Sequence, residues 1–140
     1  MNQPDTNIVV CGLIHRDGKI FVARRAANKA VFPNKFELPG GHVQLGEGLQ
    51  NALKRELNEE LQLQVDIGQV VGAFTYGDEK NFKCEVVYLC QIVGDGEPIL
   101  NPADHSEAVW LSENEADKFG NNGEEMAILR QGFKLLKEAK

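Results

Sequence analysis

No apolar stretch in this chain approaches the roughly 20 residues that a bilayer-spanning helix requires; the longest strongly apolar run covers residues 8–14. A transmembrane anchor is therefore not expected. Basic residues are in the minority, with 15 lysines and arginines against 21 aspartates and glutamates and a formal net charge of −6. Polymeric nucleic acid makes a poor partner for such a surface, because neutralising many phosphates takes a concentrated basic face. A small phosphorylated ligand stays open, provided cations offset the like charge. Cysteine is scarce too: Cys11, Cys84 and Cys90 form an odd set without Cys-x-x-Cys spacing, which favours buried reduced thiols over a disulfide framework. His15, His42 and His105 are scattered, with no spacing suited to zinc. The first residues hold no basic segment leading into an apolar one, so no secretory signal is expected and the cytoplasm is the expected compartment. Without repeats, low-complexity tracts or linkers, the 140 residues are expected to form one domain, 1–140.

What is present reads as strands and two helices. Residues 8–15 are a β-rich apolar run, Arg16-Asp17-Gly18 is a turn signal, and residues 19–23 form a second strand of a hairpin. Residues 24–34 read as a loop and 36–38 as a short strand stopped by Pro39-Gly40-Gly41. The apolar period becomes helical over 49–61 and again over 124–137. Strands at 65–75 and 82–93 flank a turn around Gly77-Asp78-Glu79, residues 94–107 form a loop, and 108–111 a last strand in which Trp110 packs into the core. The order implies an α+β fold, a mixed β-sheet with helices packed on its faces.

The first helix carries an unusual face. At about 100° per residue, Glu56, Glu59 and Glu60 share one arc, and Leu53, Leu57 and Leu61 occupy the neighbouring arc. The acids therefore border the buried stripe, whereas solubilising charges oppose it. Like charges three or four residues apart cost roughly 0.2–0.5 kcal/mol per pair. Arg55 can reach Glu59 one turn on, but no basic residue lies three or four positions from Glu60. A divalent cation taking carboxylate oxygens relieves that repulsion; a solvated acidic edge is the plainer alternative for three glutamates seen alone.

They are not alone. Gly41, Glu47, Arg55, Glu56, Leu57, Glu59, Glu60 and Leu63 follow the order G-x5-E-x7-R-E-U-x-E-E-x-G-U, where U is bulky and aliphatic. The segment resembles the Nudix box, departing from it only at the second glycine, which is Gln62 here. That glycine suits a left-handed residue ending the helix, so Gln62 puts the exit turn in question and leaves the acids untouched. Gly48 at the helix start lacks the side-chain oxygen that Ser or Thr would offer the backbone.

The resemblance implies a Nudix fold, an α/β/α sandwich, and hydrolysis of a diphosphate linkage dependent on Mg²⁺ or Mn²⁺. It places Pro39-Gly40-Gly41 in the loop before the helix and implies metal ligands at Glu56, Glu59, Glu60 and the Gly40 carbonyl, with Glu47 supporting from the loop and Asp104 as an auxiliary ligand through water. Arg55 would orient a box glutamate, and Glu56 would be the base, with Asp104 or Glu107 as alternatives. Outside the box, Arg24-Arg25-Ala26-Ala27, the run from Asn34 to Gly41 and Gly96-Glu97-Pro98 look like the MutT-type branch, which acts on oxidised purine nucleoside triphosphates. By that likeness Arg25, Gly41 and Asn122 become substrate contacts. Solvated charges at Arg24 and Arg25 and plain turn roles for Asp104 and Asn122 are the alternatives. The implied partner is a small-molecule nucleotide, with a nucleoside triphosphate ahead of ADP-ribose, dinucleoside polyphosphates and nucleotide sugars, and a monomer or homodimer is expected. A nucleotide-sensing module of the same fold, without catalysis, is the rival class. Retention of every box acid argues against it.

Overall fold

The computed structural model describes residues 3–30, 32–119 and 123–139. The strands are β1 (Asp5–Arg16), β2 (Lys19–Arg25), β3 (Phe36–Glu37), β4 (Gly40–Gln44), β5 (Val65–Gly77), β6 (Phe82–Ile92) and β7 (His105–Leu111). The helices are α1 (Leu49–Leu61) and α2 (Glu124–Glu138), with a 3₁₀ helix at Glu113–Phe119. Asp17 and Gly18, both with positive φ (55° and 77°), make the two-residue turn whose twist suits the β1–β2 hairpin. At the second turn the Asp78 carboxylate accepts from the backbone N–H groups of Lys80 and Asn81.

The sheet is mixed, as expected. β1 runs parallel to β6, and the other pairings are antiparallel. Its helices cover opposite faces, because alternate residues of β1 point opposite ways. Val10 and Ile14 join Leu53, Leu57 and Leu61 of α1; Val9, Cys11 and Leu13 join Ile128, Leu129 and Phe133 of α2. Each fully buried leucine contributes about 1.5–3 kcal/mol, so α1 is held by its apolar stripe and not by its Gly48 cap, which makes no side-chain hydrogen bond.

Several sequence expectations are corrected. Pro39-Gly40-Gly41 is not the loop before α1: Gly40 and Gly41 open β4 and pair with Cys11 and Val10. A Cβ on Gly40 would sit 2.0 Å from the Val10 carbonyl oxygen, so only glycine allows this approach. β2 continues through Arg25, β7 begins at His105, and the 3₁₀ helix was not anticipated. Cys84 is only partly buried, unlike Cys11 and Cys90, though all three are free thiols. Trp110 is partly buried, edge-on to Phe21 (centroids 5.4 Å apart) and beneath the Arg16 guanidinium. Gln62 does take the left-handed conformation (φ 54°, ψ 37°), and its N–H bonds to the carbonyls closing α1.

β1 and β2 pair only near their turn, at His15–Ile20 and Arg16–Lys19. Beyond it they part, and the chain from β3 to β4 fills the gap: β3 pairs with β2, β4 pairs with β1, and the Gly12 N–H donates to the Pro39 carbonyl (2.8 Å). This split in the sheet positions the site. No helix among the described residues is long and apolar enough to cross a membrane.

Candidate active site

Arg55 organises the acids at the split. Its Nε donates to Glu47 Oε2 (2.7 Å) and its Nη2 to Glu47 Oε1 (2.9 Å) and the His42 carbonyl (3.1 Å). Its Nη1 donates to Glu56 Oε1 (2.9 Å) and Glu59 Oε2 (3.3 Å). One planar fork thus ties the loop acid to two acids of α1, a geometry that lysine cannot copy. Glu47 also accepts the Gln44 N–H, and hydrogen bonding to Arg55 holds its carboxyl below the usual range. With both oxygens engaged, Glu47 anchors the arginine and does not line the cavity beside the site.

Glu60 differs. Its Oε2 is buried without a hydrogen-bond partner. Burial, then the charges of Glu56, Glu37 and Asp104, push its carboxyl up to about 9, against a lesser opposing effect of the Gly40 N–H. Burial also raises Glu56, although Arg55 opposes it. Two desolvated carboxylates repelling each other, one with an orphaned oxygen, fit a site for a hard divalent cation. Among the described residues no three acidic, histidine or cysteine side chains already stand as a finished ligand set. Glu59 faces solvent and Glu56 leans on Arg55, so a cation would have to gather them. Gly41 faces this cluster: a Cβ there would lie 2.4 Å from the Glu56 carboxyl.

The cavity holds about 860 Å³, enough for a small organic ligand. Gly40, Gly41, His42 and Glu60 line one part, and Arg25, Lys29, Lys35 and Lys83 bring positive charge to it. Arg25 and Gly41 are therefore at the cavity, as their expected contact role requires. Arg24 is not: it pairs with Glu107 and stacks on Phe36. That leaves Glu107 on the exposed side of β7. Asp104 is salt-bridged to Lys29 (3.0 Å) and near enough to act on Glu60. Asn122 lies outside the described residues.

The structure adds residues that sequence reasoning passed over. Glu37 lines the cavity, with Oε2 2.8 Å from Nε2 of the buried His105 and Oε1 3.3 Å from Arg25 Nη1. Lys83 donates to His42 Nε2 (2.6 Å). Burial and then Lys83 lower the His42 pKa, which keeps the ring neutral and able to accept. Lys83 and Glu85 sit two apart on a strand that is otherwise largely apolar, and that alternation was the available signal.

A model of the NUDIX domain matches residues 4–131. An uncharacterized Nudix hydrolase of Nostoc sp. is 36% identical over 110 residues, 76% of this chain and 64% of the relative. Nucleoside triphosphatase NudI of Salmonella arizonae is 34% identical over 89 residues, 58% of this chain and 63% of the relative. The chain spans just under two thirds of the length of both. The MutT protein of Methanosarcina mazei superposes with a TM-score of 0.70 over 94% of this chain and 93% of its own, at 24% identity, a likeness of fold. With a family match over nearly its whole length and three of the four box acids gathered around one arginine, the chain belongs to the Nudix family.

Proposed function

We propose that this protein hydrolyses a phosphoanhydride bond of a nucleoside triphosphate, using Mg²⁺ or Mn²⁺. The observation that carries the reading is the orphaned, buried oxygen of Glu60, a residue that stands beside Glu56 and lines a cavity also lined by Arg25, Lys29, Lys35 and Lys83. Glu56, Glu59, Glu60 and the Gly40 backbone would hold the cation, with Asp104 in support. When bound, a divalent cation draws charge from phosphate oxygens and makes water a better nucleophile.

The protein's own groups do the rest. Arg25, Lys29, Lys35 and Lys83 offset phosphate charge in a chain that is acidic overall. Glu56 accepts the proton of the attacking water; one phosphorus–oxygen bond forms and the anhydride bond to the leaving phosphate breaks. Its carboxyl, raised by burial, is a stronger base than an exposed glutamate. Arg55 keeps that carboxylate oriented, and Glu47 keeps Arg55 in place. The NudI relative is a nucleoside triphosphatase, which supports a triphosphate over ADP-ribose, dinucleoside polyphosphates or nucleotide sugars.

A panel of nucleoside triphosphates and diphosphate conjugates, incubated with and without Mg²⁺ or Mn²⁺ and resolved by mass, tests this. Metal-dependent release of phosphate or pyrophosphate from triphosphates is expected. Absence of turnover on every compound with either metal would overturn it.

A further inference from the structure

The cavity wall away from α1 holds a carboxylate that the proposed hydrolysis does not use. Glu85 stands on β6, opposite Val9 of β1 and Phe74 of β5. It lines the cavity with Val9, Cys11, Tyr76 and Lys83. The Cys11 thiol, a weak donor, hydrogen-bonds to its carboxyl. Burial, and after it the charge of Glu125, push Glu85 up to about 7. A desolvated acceptor served by so weak a donor gains from any stronger donor that enters the cavity.

Its place is also telling. β6 lies two strands from β4, roughly 10 Å across the sheet from Gly40 and Gly41. Glu85 and Glu60 line the same cavity, so the two acids belong to one space. A nucleotide with its phosphates at Gly41 and Glu60 would carry its base towards that wall. Tyr76, near Glu85 on the neighbouring strand and tilted against Phe74, brings an aromatic ring to the same cavity.

We propose that Glu85 is the specificity-determining residue of this cavity, taking two parallel hydrogen bonds from the edge of a guanine-type base. This rests on the nucleoside triphosphate reading above. An ionised carboxylate only accepts, through two oxygens side by side, and so matches two adjacent N–H donors. Guanine presents such a pair, the ring N1–H and the exocyclic amino group. Adenine and cytosine set a donor beside an acceptor, which places a lone pair against a carboxylate oxygen. Uracil has one ring N–H between two carbonyls, and hypoxanthine lacks guanine's amino group.

The experiment compares kcat/KM for guanosine, inosine and adenosine triphosphates in the wild type and in Glu85→Gln. The glutamine amide keeps the shape but offers one donor and one acceptor. Wild type is expected to favour guanosine over inosine and over adenosine by about tenfold or more, the worth of one good bidentate contact. In Glu85→Gln both ratios should fall to within about twofold, with adenosine gaining relative to guanosine. Ratios taken on one preparation cancel any loss of folded protein. Equal wild-type rates for guanosine and inosine, or ratios unchanged in Glu85→Gln, would sink the assignment. If no nucleotide is turned over, it is the underlying hydrolase reading that has failed. Calorimetric Kd values for the same three nucleotides then read selection alone, and equal values would overturn it.

Discussion

The two ends of the cavity bury carboxylates in different ways. At the box end, Glu47, Glu56, Glu59 and Glu60 come from one short stretch of chain, three of them touched by Arg55. There Glu60 is raised to about 9, with further acids ranking next after burial as causes. At the far wall, Glu85 is raised only to about 7: burial and then the charge of Glu125 push it up, while a thiol donor and Lys35 partly compensate. The first end repels itself and calls for positive charge from outside. The second has milder repulsion, already partly offset, and gains from hydrogen-bond donors. One end suits chemistry on phosphate, the other discrimination between bases.

The sharpest way to break this contrast is at Glu56. Glu56→Gln should fold normally and lose about 10²–10⁴-fold in kcat, whereas Glu60→Gln should raise the Mg²⁺ concentration needed for half-maximal rate. Near-normal rates for both at low Mg²⁺ would contradict the roles given to them. Next come the paired glycines, which distinguish backbone from side-chain crowding. Gly40→Ala drives a methyl into the β1 backbone and should cost on the order of 3 kcal/mol in chemical denaturation. In Gly41→Ala the obstacle is the movable end of Glu56, so stability should fall less and activity more. Equal stability losses for the two would argue against that difference.

A smaller effect separates Glu60 from ordinary surface acids. Its folded value of about 9 lies above the ordinary 4.5, so the folded state holds the extra proton. That contribution to stability is fully present below about pH 4.5 and is lost as pH rises through 9. Metal-free protein should therefore lose Tm between pH 5 and 9 on this account, less steeply in Glu60→Gln. Mg²⁺ should raise Tm more at high pH than at low, since it competes with the proton. A wild-type Tm profile parallel to that of Glu60→Gln would count against it. Smallest is Gln62→Gly, which relieves the left-handed turn and should add about 1 kcal/mol in thermal unfolding; no gain would show that the turn carries no strain.

Contiguity decided what could be read in advance. The α1 limits at 49 and 61 coincide with the apolar period because helix hydrogen bonds and side-chain facing are local. The box acids were legible for the same reason. Gly40 and Gly41 read as a loop because the strand that pairs with them lies about thirty residues earlier in the chain, and nothing nearby reports it. Val65–Gly77 and Phe82–Ile92 were visible as strands, but not the parallel pairing of β1 with β6 that brings Glu85 towards Cys11. Glu37, which meets the buried His105 sixty-eight residues on, had no local signature.

By itself, the order of residues determined the helix that bears the acids, the hairpin turn at Asp17-Gly18 and the family likeness, since each depends on spacings within a few turns or one strand. Tertiary structure alone decided that Glu47 serves Arg55 while Glu60 is left with an unpartnered oxygen, and that Arg25 and not Arg24 reaches the cavity. The physical reason is that desolvation and charge depend on every group within several ångströms, and here the sheet gathers those groups from strands far apart in the chain.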